Sequence, residues 1–240
     1  MNISLTFHLD RNTLPTETEQ LYDLWRVARL LEPLGFPLND WYPPADTPEQ
    51  SLLNRAFDDQ GPTPAAVAIL KAEMQQLQTP WRRDTAVWNG KEGPGGVVCV
   101  NALSVDPYLA NCTVRLNARG VESLQDTQNV VTVVQGLLRI WRARTLEVAP
   151  TRYQTRKKVF PDRPGAGWML YLPTVLTVQQ VPEAAALLLV MGEPHKQAGT
   201  LIVSIVDAPF SADNPDHVRI ANKIEVRLVD QDLLPRYADP

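Results

Sequence analysis

The apolar residues of this chain change period part-way along it, and that change limits the folds open to it. Leu21, Leu24, Trp25, Ala28 and Leu31 recur at helical spacing, after an acidic first turn at Pro15 to Glu19 and before a stop at Pro33 and Gly35. Thr47 and Pro48 form a cap followed by proline, which predicts a helix to about Phe57. Gly61-Pro62-Thr63-Pro64 repeats that device ahead of a helix carrying Val67, Leu70, Met74 and Leu77. From Arg83 the spacing becomes that of strands: Thr85–Asn89, then Val97–Leu103 and Ala110–Asn117 as a hairpin pair, with Gly90–Gly96 as a glycine-rich turn. Ile3–Leu9 alternates in the same way at the start of the chain.

Further along, Thr127–Trp141 reads as a helix with Val130, Val131, Val134, Leu137, Leu138 and Trp141 inward, and Thr145–Ala149 as a strand. Lys157–Gly167 is irregular, Gly167–Leu172 a strand, and Leu176–Ala184 a place for a short helix despite Pro182. Ala186–Met191 and Thr200–Asp207 are apolar strands, and Asn214-Pro215 caps a last helix with Val218, Ala221, Ile224 and Leu228 on its buried face. Val97–Trp141 and Ala186–Asp230 thus share the order strand, strand, helix. The expected class is α+β: two such halves forming antiparallel or mixed sheets packed by helices, with an extra helical N-terminal segment. The division falls at 1–150 and 151–240, unless the two form one continuous domain.

Composition narrows the function classes. The 21 prolines among 240 residues work against long helices, and a net charge of -4 argues against a general nucleic-acid binder. No apolar run approaches a membrane span, and Met1–Asp10 has no basic leader region, so a cytoplasmic protein is expected. Cys99 and Cys112 sit in apolar runs without companion ligands and read as buried thiols. A disulfide across the hairpin is the alternative in an oxidising compartment.

A search for chemistry assigns no catalytic, metal or cofactor residue. His8, His195 and His217 form no metal-binding pattern, and neither a G-x-S-x-G elbow nor a P-loop is present. Pro161-Asp162 and Pro215-Asp216 raise a metal-dependent nuclease reading, but the acidic-x-Lys partner is missing: Glu225-Val226-Arg227 has arginine there and lies in a helix.

Charge is unevenly distributed. Residues 1–60 hold ten acidic side chains against four arginines. Within them, Asp40, Trp41, Tyr42, Asp46, Asp58 and Asp59 predict an acidic, aromatic-rimmed surface for a basic protein partner. The alternatives are a solvated acidic face, and aromatics folded back on the core; Trp81 poses the same choice. The opposite bias, at Arg139–Lys158, predicts either phosphate binding or pairing with acidic groups of the same chain.

Two stretches are the most specific words in the chain: V-F-P-D-R-P-G-A-G-W-M-L-Y-L-P at Val159–Pro173 and I-E-V-R-L-V-D-Q-D-L-L-P-R-Y-A-D at Ile224–Asp239. With L-T-V-Q-Q-V-P-E-A and G-T-L-I-V-S-I-V-D between them, and more loosely L-Y-D-L-W-R-V-A-R, D-W-Y and the W-N-G at Trp88-Asn89-Gly90, they resemble the immunity protein 52 family of bacterial polymorphic toxin systems. The resemblance implies an antidote that binds and silences a cognate restriction-endonuclease-like DNase toxin of type VI secretion. It implies no catalytic residue and no cofactor. It transfers no binding residues; that neither nucleic acid nor membrane is contacted directly is expected from the net charge and the apolar runs. Inhibition would come from covering the nuclease groove or from blocking the toxin's assembly. Gly167 and Trp168 are expected to be fold determinants, glycine for close approach and tryptophan for core volume. Two rival classes remain: an α+β enzyme built on Asp162/Arg163 and Asp230/Asp232, and a nucleic-acid regulator using the basic run.

Overall fold

The structure is a computed structural model that describes residues 1–77, 79–106, 111–192 and 197–239. Its contacts divide into two compact units. An amino unit comprises Thr6–Leu124 with Gly136–Arg142, and a carboxy unit comprises Met1–Leu5, Gln125–Gln135 and Ala143–Pro240. Strand β1 (Asn2–Phe7) lends residues to both.

In the amino unit, α1 (Glu17–Leu31) starts where the sequence placed it, because a capping box closes its first turn. Thr16 Oγ1 accepts from the Glu19 N–H at 3.2 Å, and the Glu19 carboxylate accepts from the Thr16 N–H at 2.6 Å. Leu21, Leu24, Val27, Ala28 and Leu31 are buried. Val27, not Trp25, completes the stripe. Trp25 is only half-buried, stacks on Tyr22 with ring centres 5.0 Å apart, and donates its indole N–H to the Asp58 carbonyl at 2.9 Å.

Helix α2 (Pro48–Ser51) begins at the predicted Thr47 cap but makes a single turn. The residues that would have extended it instead lead into a hairpin, β2 (Phe57–Asp58) with β3 (Gly61–Pro62). Helix α3 (Pro64–Leu77) follows, then an antiparallel sheet of β4 (Arg82–Trp88), β5 (Val97–Ser104) and β6 (Cys112–Ala118). Alternation places Val87, Val97, Cys99, Leu103, Val114 and Leu116 inside. One buried cation interrupts this face. Arg83 donates to Gln20 Oε1 at 2.5 Å, to Glu17 Oε1 at 2.9 Å and to the Pro15 carbonyl, and Gln20 Nε2 reaches the Asn101 carbonyl at 3.0 Å.

The hairpin register sets Cys99 opposite Leu116, not Cys112. Both thiols are therefore free and buried, which removes the disulfide alternative. Burial pushes the Cys99 thiol up to about 12.

Helix α4 (Thr127–Ile140) again lends residues to both units. In the carboxy unit, β7 (Ala143–Ala149) leads to α5 (Thr151–Arg156), a short helix the apolar pattern gives no sign of. Strands β8 (Met169–Leu172), β9 (Ala186–Met191) and β10 (Gln197–Val203) follow, and β7-β8-β10-β9 pair as antiparallel neighbours. The last strand ends earlier than its apolar run. Residues 173–185 form turns rather than the predicted short helix. There the Thr177 N–H donates to Gln180 Oε1 at 3.0 Å, and the Gln180 and Val181 N–H groups both return to the Thr177 carbonyl. Helix α6 (Pro215–Asp230) is capped by Asn214 and buries Ala221, Ile224, Glu225 and Leu228. The fold is mixed α+β with antiparallel pairing in each unit. Among the described residues no helix is long and apolar enough to cross a membrane. His195 and Ala110 lie outside the described residues.

Candidate functional site

The acidic segment of the amino unit is positioned by three local devices. A 3-10 turn at Leu38–Asp40 delivers the chain into Trp41. Tyr42 then bridges to Trp88, exchanging backbone hydrogen bonds of 2.9 and 3.0 Å. Third, the indole N–H of Trp88 donates to Ser51 Oγ at 2.6 Å, and that hydroxyl donates to the Pro43 carbonyl at 2.5 Å. Residues 42–51 are thereby fastened to the end of β4.

The W-N-G word has a role in this corner. Asn89 Oδ1 accepts from the Val97 N–H at 2.8 Å and Asn89 Nδ2 donates to the Gly95 carbonyl at 2.9 Å, closing the turn between β4 and β5. Gly90 has φ +70, and a Cβ there would lie 3.0 Å from the Tyr42 ring and 3.1 Å from Leu52. Glycine suits both the backbone angle and the space.

The predicted site residues divide. Asp40, Asp46, Asp58 and Asp59 are exposed and Tyr42 is half-buried. Trp41 is fully buried, so its ring belongs to the core and presents nothing to a partner. The aromatic folded back on the core is the reading that fits it. Trp81 remains exposed at 49%. Asp58 also shapes its own turn, because its Oδ1 accepts from the Gln60 and Gly61 N–H groups at 2.8 and 3.1 Å.

Ion pairing separates the acids of the first sixty residues into two classes. Glu17, Glu19, Asp23 and Glu32 have arginine partners at Arg83, Arg11, Arg26 and Arg29. Asp10, Asp40, Asp46, Glu49, Asp58 and Asp59 have none among the described residues. Glu49 is held below its ordinary value by its own backbone N–H and by Thr47. Five of these six unpaired acids lie on the 40–59 segment, whose one cation is the exposed Arg55.

Sequence reasoning missed a cleft beside these acids. It has a volume of about 280 Å³ and runs between α2 and the outer face of β4 and β5, bounded by Pro44, Ala45, Pro48, Trp88, Glu92 and Val98. Leu52, Leu53 and Val98 are exposed at 44%, 78% and 37%. The one sequence signal for it was Trp88 in W-N-G.

Of the rival constellations, Asp162 and Arg163 have structural employment. Arg163 donates to the Leu234 carbonyl, the Asp162 carbonyl accepts from the Tyr237 N–H at 3.0 Å, and the Asp162 carboxylate faces Arg236 at 3.7 Å. These contacts strap the C-terminal residues down. Within the basic run, Arg152 pairs with Asp213, Arg144 donates to the Asp239 carbonyl, and Lys158 donates to the Arg163 carbonyl and Tyr237.

Beneath that strap lies a buried polar network. The Glu225 carboxylate accepts from Tyr153 Oη at 2.5 Å and from the Val159 and Ala166 N–H groups at 2.7 and 2.9 Å. Glu147 accepts from the Gly165 N–H at 2.8 Å and Tyr237 Oη at 3.0 Å. Burial pushes both carboxyls above their ordinary range. Their donors come largely from residues 159–166, so the network gives the Pro/Gly-rich segment its shape. A wider groove of about 800 Å³ along α6 carries charges of both signs, several of them paired, including Arg227 with Glu183 at 2.8 Å.

Comparisons with known proteins identify the fold and the family. No curated protein matches the chain. Among solved structures, the fold is similar to that of Pseudomonas aeruginosa T6SS protein PA0821, with a TM-score of 0.51 and 12% identity over 94% of this chain and 72% of that one. At that identity the likeness is one of fold. A family model described as Immunity protein 52 matches residues 18–236. With the W-N-G corner and the strapped F-P-D-R-P-G-A-G-W segment accounted for, the chain belongs to the immunity protein 52 family.

Proposed function

We propose that this immunity protein neutralises a nuclease toxin by laying its acidic 40–59 segment over the toxin's basic nucleic-acid groove, acting in the cytoplasm before damage occurs. The observation that carries the reading is the set of five unpaired acids on one tethered segment, beside acids that are paired. A nuclease groove must be basic to hold phosphates, and an acidic surface competes for the same place. Long-range attraction between the two also raises the rate of capture. Asp40, Asp46, Asp58 and Asp59 supply the charge in this reading, and Tyr42 an aromatic edge. Trp41 acts through the core by holding the segment in place.

The test is binding to the nuclease domain encoded beside this chain's gene. Asp58→Asn keeps the Oδ1 acceptor of the turn while removing its charge, and Asp59→Lys reverses the neighbouring one. The double variant is expected to bind about tenfold more weakly, mainly through a slower association with a weaker salt dependence. Unchanged affinity and unchanged association rate in a folded double variant would remove this surface from the mechanism.

A further inference from the structure

We infer that the cleft between α2 and the β4–β5 face is the anchor point of the interface and takes a lysine or arginine side chain projecting from the partner. The inference rests on the acidic-surface reading and specifies what that surface grips.

The cleft has two kinds of wall. Its sides are apolar: Pro44, Ala45, Pro48, Ala86, Trp88 and Val98. Its margin carries the exposed carboxylate of Glu92, and the α2 segment along it carries Asp46 and Glu49. An apolar slot with an anionic margin fits a long basic side chain, whose methylene stem packs against carbon while its charged head stays at the rim. The Trp88 ring adds a face that attracts cations. A neutral aliphatic side chain would leave the rim unanswered, and an acidic one would be repelled.

The walls are also rigid. Trp88, Ser51 and Pro43 are linked by hydrogen bonds of 2.6 and 2.5 Å, and Gly90 lets Leu52 and Tyr42 close over the turn. Preformed, apolar-lined pockets of this kind are where interface anchors concentrate. The cleft and the acids of the 40–59 segment lie in the same unit, and Pro44, Ala45, Thr47 and Pro48, which flank Asp46, line the cleft.

Two variants test this without disturbing the core. Glu92→Lys reverses the rim, and Val98→Lys places a competing cation at an exposed strand position. Each is expected to weaken binding to the neighbouring nuclease domain about tenfold while leaving the melting temperature at the wild-type value. If both bind at full strength while Asp58→Asn/Asp59→Lys is impaired, the cleft is not the anchor and the acidic-surface reading stands. If folded wild-type protein binds no such nuclease, that reading falls, and a second measurement decides the cleft. Nα-acetyl-arginine amide, Nα-acetyl-norleucine amide and Nα-acetyl-glutamate amide are titrated against the labelled protein while the Trp88 indole N–H resonance is followed. A shift driven by the arginine compound and diminished in Glu92→Gln upholds the cleft; indifference to arginine, or an equal response to all three, overturns it.

Discussion

Gly167 shows how much one residue decides. Its φ of +43 lies in the left-handed region, and a Cβ would meet the Ala149 Cβ at 2.6 Å and the Val148 carbonyl at 2.8 Å. The close approach lets the Trp168 N–H donate to Val148 at 2.8 Å while the Trp168 indole N–H reaches the Ile205 carbonyl at 3.0 Å. Gly167→Ala combines backbone strain with overpacking and is expected to cost about 2 kcal/mol or more, read as a lowered urea midpoint at unchanged slope; a midpoint equal to wild type would refute the packing argument. Gly167 and Trp168 were legible because glycine beside tryptophan in an apolar strand has few uses other than close packing. Trp41 was not. It lies outside any periodic stretch, and its burial is set by pairings the local sequence does not encode, including the Ala56 N–H on its carbonyl at 2.7 Å. The charge of Asp58 was legible, but its second role as a turn former was not.

Among the elements, helices with both a cap and a stripe were read well. α1 and α6 are capped by Thr16 and Asn214, and their buried faces follow most of the apolar spacing, with Val27 in place of Trp25 in α1 and Glu225 buried while Val218 is only half-buried in α6. Thr16→Ala removes the acceptor that holds the Glu19 N–H and is expected to cost about 1 kcal/mol, seen as a lower melting temperature. Thr16→Ser should restore most of the loss, because serine keeps the oxygen; failure of that rescue would mean the methyl group, not the cap, matters. A cap alone misled: Thr47-Pro48 starts α2, but no apolar stripe continues it, and the chain turns into the β2–β3 hairpin. α5 shows the converse, since only Tyr153 of its six residues is buried, too little to register as a period. The acids of the proposed interface could be read from composition, whereas the cleft could not. Its walls come from residues 44–51, 86–88, 92 and 98, and only strand register brings them together.

At the scale of the molecule, the two buried carboxylates set an unusual response to pH. Burial raises both Glu147 and Glu225 in the folded protein, outweighing the donors that favour their charged forms. A raised carboxyl stabilises the fold fully below the unfolded value of about 4.3, and that contribution is lost as pH rises through the folded value. Glu147→Gln abolishes one of the two titrations. Its urea midpoint is expected to gain on the wild type as pH is raised from about 4 towards neutrality, and a constant difference across that range would show that Glu147 does not titrate in this way. Exposed pairs such as Arg219 with Asp216 add little to this balance. One last consequence belongs to the tether between Trp25 and the Asp58 carbonyl. Because the acidic turn is also closed on itself by the Asp58 side chain, it loses little conformational freedom when a partner lands on it. Less of the contact energy is spent on ordering, so in the proposed complex the partner is expected to leave slowly, a long residence time added to the fast capture that the charge provides.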